Sequence, residues 1–289
     1  MKIGLQKKSK AYLPESIAYK KFLELHGHSV YFIDEVNNNI DIIIYFMGYN
    51  QFKSKSNNSI IEIHEYSSLS TPPFAKFKNY LKSKTNTIPD GRIFLNDVVS
   101  KEFNFKSATP FIFRDMGVDE VFFNRNVNLI KVFDIVYSGS ERSGLFESII
   151  FLLKYGFKIV LIGVFSKKFH NYFKSKVIFT GKLTTIDVAK VYHLSQHGLN
   201  ITPDVYPYNI QTSTKVLEYS AAGLSIISNR YLWVVQFEKK YNARFFWIEN
   251  LDKLETIKNF DFITPNVTEL NWVNILNKAN FLNFIESFK

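Results

Sequence analysis

The chain has 289 residues, of which 46% are hydrophobic and 17% aromatic, so it can bury the cores of two domains and is not a disordered chain. It contains no cysteine, which excludes disulfides, thiolate nucleophiles and cysteine-ligated zinc. The net charge of +10 favours an anionic partner, namely nucleic acid, an anionic membrane surface or a phosphorylated ligand, although a generic solvated basic surface has the same composition.

The first half of the chain alternates short apolar runs with helical patterns. "KIGL" predicts a strand, "PESIAYKKFLELHG" a helix closed by Gly27, and "SVYFID", "IDIIIYF" and "SIIEIH" further strands. Continuous apolar strands separated by helices indicate a parallel sheet covered on both faces. The apolar runs are too short to span a bilayer, and no apolar segment follows the N-terminal charges, so we expect a cytoplasmic protein, soluble or peripheral at a membrane.

A basic and aromatic segment, "TPPFAKFKNYLKSK", follows these strands. It interleaves Phe74, Phe77, Tyr80 and Leu81 with Lys76, Lys78, Lys82 and Lys84. Rings beside amines suit an anionic membrane interface, and a partly buried helix with a solvated basic face is the alternative. Nucleic acid would suit the same composition, but the charge is dispersed among acidic residues and no nucleic-acid motif occurs. We therefore expect no nucleic-acid partner.

The alternation restarts after "PFIFRDMGVDEVFFNRN", residues 110–126, where we place the join between two halves. The second half has predicted strands in "VFDIVYSG", "FKIVLIG", "KVIFTG", "LNITP" and "LSIIS", predicted helices in "GLFESIIFLLKYG", "TTIDVAKVYHLSQHG" and "TSTKVLEYSAAG", and one long amphipathic helix at the end. Two Rossmann-like halves facing across a cleft would place ligands at the carboxyl ends of the strands. The predicted domains are residues 1–118 and 119–275, with a C-terminal helix, 276–289, that packs back on the first domain.

The stretch "TSTKVLEYSAAGLSIIS" places hydroxyls, a cation and a carboxylate at the start of one short helix. Thr212, Ser213 and Thr214 are natural N-cap residues, and the free N–H groups and dipole of a helix start favour an anion, typically phosphate. Lys215 suits this position only beside an anion, and Glu218, one turn later, can accept hydrogen bonds from a diol such as a ribose. An ordinary capped helix with a Lys215–Glu218 surface pair is the alternative.

This stretch resembles the donor-site segment of the GT-B glycosyltransferases of the GT4-type family, S/T-x-K-x-x-E-Y-x-A-x-G. Further segments are similar to that family in the same order: "MKIGL", "HGHSVYFI", "MGVDEVFF", "VYSGS", "IVLIG" and "VIFTGKLTTIDVAKVY". The resemblance covers most of the chain. It implies an α/β fold of the GT-B class and transfer of a sugar, with retention, from a nucleotide-diphosphate sugar to a glycan or lipid-linked acceptor in bacterial surface polysaccharide synthesis. A non-catalytic GT-B-like protein that binds a partner or glycan is the alternative.

The resemblance also implies which residues bind the donor nucleotide. The family's residue at Glu218 holds the ribose hydroxyls, and its hydroxyls and amides at Ser213 and Thr214 contact the diphosphate. The glycine turn at Gly139 belongs to the same donor site. Beside them, Lys215 would add positive charge at the diphosphate.

The expected catalytic residues are His64, Arg142 and Lys215. In the family, a basic residue of the loop matching Arg142 neutralises the diphosphate, and a histidine matching His64, which ends the predicted strand "SIIEIH", approaches the donor sugar. A solvated loop arginine and a satisfied strand-end histidine are the alternatives. No Asp-x-Asp occurs in the sequence, which favours charge neutralisation by Lys, Arg and the helix dipole, so we expect no metal and no cofactor.

Several positions depart from the family pattern. The first of its two glutamates is Ile210 here, the proline after the small glycine is Ser225, and the glycine-rich loop is missing from "LQKKSKAYLP". His193 and His197, at helical spacing in a predicted helix, have no acidic partner at metal-ligand spacing and are expected to be structural.

Overall fold

The computed structural model describes residues 1–6, 13–33, 39–46, 59–124, 129–250 and 254–289. The chain divides into two compact units, the first formed by Met1–Gly117 with Leu270–Lys289 and the second by Val118–Glu269. The C-terminal segment that belongs to the first unit therefore begins at Leu270, which lies inside the predicted second domain, residues 119–275.

Parallel strands form one sheet in each unit. The first sheet contains β1 (Lys2–Gln6), β2 (Ser29–Ile33), β3 (Ile42–Phe46), β4 (Ile61–Tyr66), β5 (Gly91–Phe94) and β6 (Phe111–Phe113). The second contains β7 (Phe133–Ser138), β8 (Ile159–Ile162), β9 (Ile178–Gly181), β10 (Ser195–Asn200), β11 (Ser225–Ser228) and β12 (Phe246–Trp247). Every residue of β3 and of β8 is buried, as expected for a parallel sheet covered on both faces.

Helices connect most of these strands. In the part of the chain that the structure describes they are α1 (Pro14–Leu25), α2 (Ala75–Thr85), α3 (Asp97–Phe103), α4 (Leu145–Lys154), α5 (Lys167–Phe173), α6 (Thr185–His193), α7 (Thr214–Ala221), α8 (Leu232–Lys240), α9 (Leu254–Lys258), α10 (Trp272–Lys278) and α11 (Phe281–Glu286). The alternation of strand and helix in both units is that of a doubly wound α/β fold.

The strand order positions the site of the second unit. Its sheet runs β12-β11-β10-β7-β8-β9, with every pair parallel, and the first sheet runs β2-β1-β3-β4-β5-β6. In the second sheet the chain leaves β7 in one direction and returns to its other side at β10. A doubly wound sheet binds ligands in the crevice where the order reverses, so the carboxyl ends of β7 and β10 mark the expected site.

The prediction that one helix runs to Gly198 is wrong. The helix α6 ends at His193, and "SQHGLN" forms β10, which pairs with both β7 and β11. Gly198 is required there because a Cβ would lie 2.4 Å from the ring of Tyr219. His193 and His197 are therefore not neighbours on one helix.

The predicted long C-terminal helix is also wrong. Asn280 adopts a left-handed conformation, with φ of 53°, and separates α10 from α11. Trp272 anchors this segment in the first unit, since its ring occupies the space of a Cβ at Gly117 and lies 5.4 Å from the guanidinium of Arg114. The backbone therefore turns between two short helices, both of which bury apolar side chains.

Candidate functional site

A polar pocket lies at the carboxyl ends of β7 and β10 in the second unit. Residues 137–139 and 142 line it from the β7 side, residues 199–202 from the β10 side, and Tyr208, 211–215 and Tyr231 from the segments around α7. The hydroxyl of Tyr219 bridges the two strands beneath it, accepting from the Ser138 N–H at 3.1 Å and donating to the Leu199 carbonyl at 3.3 Å. The pocket therefore occupies the switch point of the sheet.

Helix α7 begins at the wall of this pocket, and Ser213 is its N-cap. The Ser213 Oγ accepts from the Val216 N–H at 3.4 Å and donates its only proton to Asn200 Oδ1 at 3.1 Å. Among the described residues, the Thr214 hydroxyl and the Thr214 and Lys215 amide hydrogens have no hydrogen-bond partner. An anion at this helix start would thus meet two N–H donors and the Thr214 hydroxyl, while the Ser213 hydroxyl serves the cap.

Asn200, which the sequence did not single out, organises the floor behind Ser213. It is buried, and its Nδ2 donates to Ser228 Oγ at 2.8 Å and to the Tyr231 hydroxyl at 3.0 Å. Both Nδ2 hydrogens therefore have acceptors, and these two bonds orient Oδ1 toward Ser213. A lone asparagine at the end of an apolar strand gave no signal of this role.

Two cations face the pocket. Arg142 lies in the exposed loop after β7, and its Nη1 donates to the Thr202 hydroxyl at 3.4 Å. Lys215 lies in the first turn of α7. No acidic side chain is among the described residues that line the pocket, so the charged side chains of the lining are both positive. Gly139 is also in the lining, but its N–H already donates to the Ile162 carbonyl at 2.9 Å.

The carboxylate of Glu218 lies next to the pocket, one turn into α7. Its Oε2 accepts from Lys215 Nζ at 3.0 Å and from the hydroxyl of Tyr192 at 3.1 Å. The Glu218 side chain is 12% exposed and that of Lys215 34%, so the pair is more buried than an ordinary surface ion pair. Among the described residues, no donor contacts the second oxygen, Oε1.

His64 lies in the first unit. Strand β4 continues past it to Tyr66, so the prediction that His64 ends a strand is wrong. Its ring is fully buried, packs edge-on against Tyr45 at 5.7 Å, and has Nδ1 3.3 Å from the Tyr66 hydroxyl. The structure brings Gly139, Arg142, Ser213, Thr214 and Lys215 into the lining of one pocket, with Glu218 beside Lys215, and His64 is not part of that set.

No group of three or more His, Asp or Glu side chains suited to hold a metal ion is present within the described ranges. His197, which the helical spacing had paired with His193, is instead a buried residue of β10 whose ring lies 5.0 Å from that of Phe262. In the same part of the chain, no helix has both the length and the apolar character to cross a membrane.

No protein-family model and no curated protein matches the sequence. Solved structures do match. HepE (Alr3699) of Anabaena, crystallised with UDP-glucose, has a TM-score of 0.67 at 11% identity over 99% of this chain and 100% of its own. AviGT4, a glycosyltransferase involved in avilamycin A biosynthesis, has a TM-score of 0.61 at 12% identity over 99% and 96%.

A third similar structure is the UDP-GlcNAc 2-epimerase of Methanocaldococcus jannaschii, with a TM-score of 0.56 at 9% identity over 99% of this chain and 100% of its own. At these identities the likeness shows the fold. The predicted α/β GT-B fold with two Rossmann-like domains is thereby confirmed.

Proposed function

We propose that this chain is a glycosyltransferase that takes its sugar from a nucleotide-diphosphate sugar and passes it to a glycan or lipid-linked acceptor. The observation that carries this proposal is the pocket at the β7–β10 switch point, where a free helix start and two cations converge beside a partly buried carboxylate. The UDP-glucose held by HepE, a structure of the same fold, supports a nucleotide sugar as the ligand class.

The chemistry of the pocket supports a separate position for each of two parts of the donor nucleotide, the diphosphate and the ribose. The diphosphate would lie at the start of α7, where it meets the Thr214 and Lys215 amides, the Thr214 hydroxyl and the charges of Lys215 and Arg142. The ribose hydroxyls would donate to Glu218, whose Oε1 has no donor within the described part of the chain. Ser213 supports this arrangement by capping the helix. Gly139 would let the donor approach the backbone closely, because it has no side chain to fill the pocket.

The same groups can lower the barrier to transfer. As the bond between the anomeric carbon and the phosphate oxygen breaks, negative charge develops on the leaving diphosphate, and Arg142, Lys215 and the α7 amides stabilise it. The acceptor hydroxyl forms the new bond to the anomeric carbon, and its proton passes to the leaving phosphate oxygen. This route needs no separate general base, and we propose it for transfer with retention of configuration.

His64 is proposed to act on the donor sugar. The supporting feature is its position in "IHEY" on β4. Because its ring is fully buried, the ring must become exposed before it can contact a ligand. Metal-independent transfer is proposed as well. It is supported by the sequence, which lacks Asp-x-Asp, and by two cations in a pocket lining without acidic residues.

A peripheral, cytoplasmic location in bacterial surface polysaccharide synthesis is proposed from the α2 surface, defined here as Phe74, Phe77, Tyr80, Lys76 and Lys84. These side chains are exposed, Phe74 at 78%. The sequence has no acidic residue between Glu65 and Asp90, a span that contains four lysines. Each lysine near an anionic bilayer contributes about 1 kcal/mol, and the rings can enter the interface.

A vesicle flotation assay tests the α2 surface. The protein should float with phosphatidylglycerol vesicles and not with phosphatidylcholine vesicles, and the double change Lys76→Gln/Lys84→Gln should reduce the floated fraction. The matched control is Lys167→Gln/Lys168→Gln, which removes two exposed charges from α5 of the second unit. Equal losses in both variants would reject a specific surface.

The enzymatic proposal is tested with a panel of nucleotide sugars, with and without a chelator. The expected result is release of the nucleoside diphosphate together with transfer or hydrolysis of the sugar, unaffected by the chelator. Conversion of the sugar to its 2-epimer without net release of the nucleoside diphosphate would replace the proposal with an epimerase activity. Tight nucleotide binding without turnover on any donor would favour the non-catalytic alternative.

A further inference from the structure

Two different donors hold one oxygen of the Glu218 carboxylate. Lys215 reaches Oε2 from a flexible side chain that is 34% exposed, and its ammonium has three protons, so it can contact Glu218 and an anion together. Tyr192 reaches the same oxygen from α6, 26 residues away in the chain. A point charge on a flexible stem does not fix the plane of a carboxylate, and a second donor in a rigid position does.

Tyr192 is such a rigid donor. Its side chain is fully buried, its ring stacks on Phe122 at 5.5 Å and meets the ring of Tyr219 edge-on at 5.0 Å. Burial, followed by the nearby charge of Glu218, raises the pKa of Tyr192 well above its ordinary value, so the hydroxyl keeps its proton. The direction of the O–H donor is therefore determined by packing, not by the ligand.

Resting on the proposed function, we propose that Tyr192 is a positioning residue that holds Glu218 with Oε1 turned toward the ribose diol. With Oε2 engaged by Tyr192 and Lys215, Oε1 is the oxygen left for a diol in the described structure. Loss of the Tyr192 hydroxyl leaves a carboxylate that can rotate about its contact with Lys215. The binding affinity should then fall for ligands that form a hydrogen bond with Oε1 and stay unchanged for ligands that do not.

The test compares Tyr192→Phe with the unmodified full-length chain by calorimetry. UDP, GDP and ADP are screened first, and the tightest of them is compared with its 2′,3′-dideoxy analogue. Tyr192→Phe should weaken the ribonucleotide about tenfold, in keeping with one lost hydrogen bond to a charged group, and should weaken the dideoxy analogue less than about twofold. Glu218→Gln should show the same dependence on the diol.

Tyr241→Phe is the matched control, because it also removes a tyrosine hydroxyl that donates to a glutamate, Glu269 at 2.9 Å, and Tyr241 is not among the residues that line the pocket. Its effect on affinity should be the same for the ribonucleotide and the dideoxy analogue, and its thermal unfolding shows whether either variant is misfolded. Equal losses on both ligands for Tyr192→Phe, or no loss on either, would overturn the positioning role alone. Failure of the unmodified protein to bind any of the three nucleotides would overturn the proposed function with it.

Discussion

Replacement of Lys215 by methionine removes one charge from the pocket and retains most of the apolar stem. In the structure, Nζ lies 3.0 Å from Glu218 Oε2, and the side chain is 34% exposed at the start of α7. If a diphosphate lies at this helix start, Lys215 is one of its two nearest side-chain cations. The change should therefore weaken binding in proportion to the charge of the ligand.

The expected loss follows from the exposure of the side chain. Two unit charges 4 Å apart interact by about 4 kcal/mol at an effective dielectric constant of 20 and by about 1 kcal/mol in water. A lysine that is one-third exposed lies between these limits and also loses some of its interaction with Glu218, so about 1–2 kcal/mol is expected for a diphosphate. This corresponds to a dissociation constant about 5- to 30-fold higher.

Calorimetry with the nucleoside, the nucleoside monophosphate and the nucleoside diphosphate of one base measures this dependence. The loss should be smallest for the nucleoside and largest for the diphosphate, because Tyr192 still holds Glu218. Lys190→Met is the matched control, since Lys190 also pairs with an acidic residue three positions away on a helix, Asp187, and is not among the residues that line the pocket. Equal losses for all three ligands would refute the phosphate role of Lys215.

Three further outcomes follow from the described contacts. Arg142→Gln should weaken diphosphate binding about tenfold while changing the free energy of unfolding by less than about 0.5 kcal/mol, because its loop is exposed; a large loss of stability in denaturant titration would contradict this. Gly198→Ala should destabilise the protein by about 1–3 kcal/mol, because the new Cβ lies 2.4 Å from the Tyr219 ring; an unchanged melting temperature would show that the ring can move. Burial lowers the pKa of His197 to about 4. Between pH 6.5 and 4 the unfolded state therefore binds a proton that the folded state does not. The free energy of unfolding should fall by up to about 1.4 kcal/mol for each unit by which the pH is lowered in this range. Denaturant titrations across that range should show a flatter profile for His197→Gln, and an unchanged slope would assign the acid sensitivity to other groups.

Features that depend on a local pattern of residues can be predicted from the sequence. The cap at Ser213 and the start of α7 follow from residues that are adjacent in the chain. The fully buried apolar strands β3 and β8 likewise follow from continuous apolar runs. These features depend on backbone hydrogen bonding and side-chain type over a few residues, which composition and spacing reveal.

Other features depend on the tertiary structure. "SQHGLN" continues the helical pattern of α6 but is drawn into β10, because it pairs with strands on both sides. The bond from Tyr192 to Glu218 spans 26 residues, and that from Ser213 to Asn200 spans 13, so both require the strand order to bring them together. The hydrogen bond from the Ser213 hydroxyl to Asn200 Oδ1 is likewise visible only in the tertiary structure.

The central claim is that the donor nucleotide binds at the β7–β10 switch point of the second unit. A crystal structure of the full chain with a bound nucleoside diphosphate tests it most directly. The diphosphate should accept hydrogen bonds from the Thr214 and Lys215 amides beside Arg142, with the ribose hydroxyls at Glu218 Oε1. A nucleotide bound elsewhere, or bound here with its ribose away from Glu218, would contradict the account.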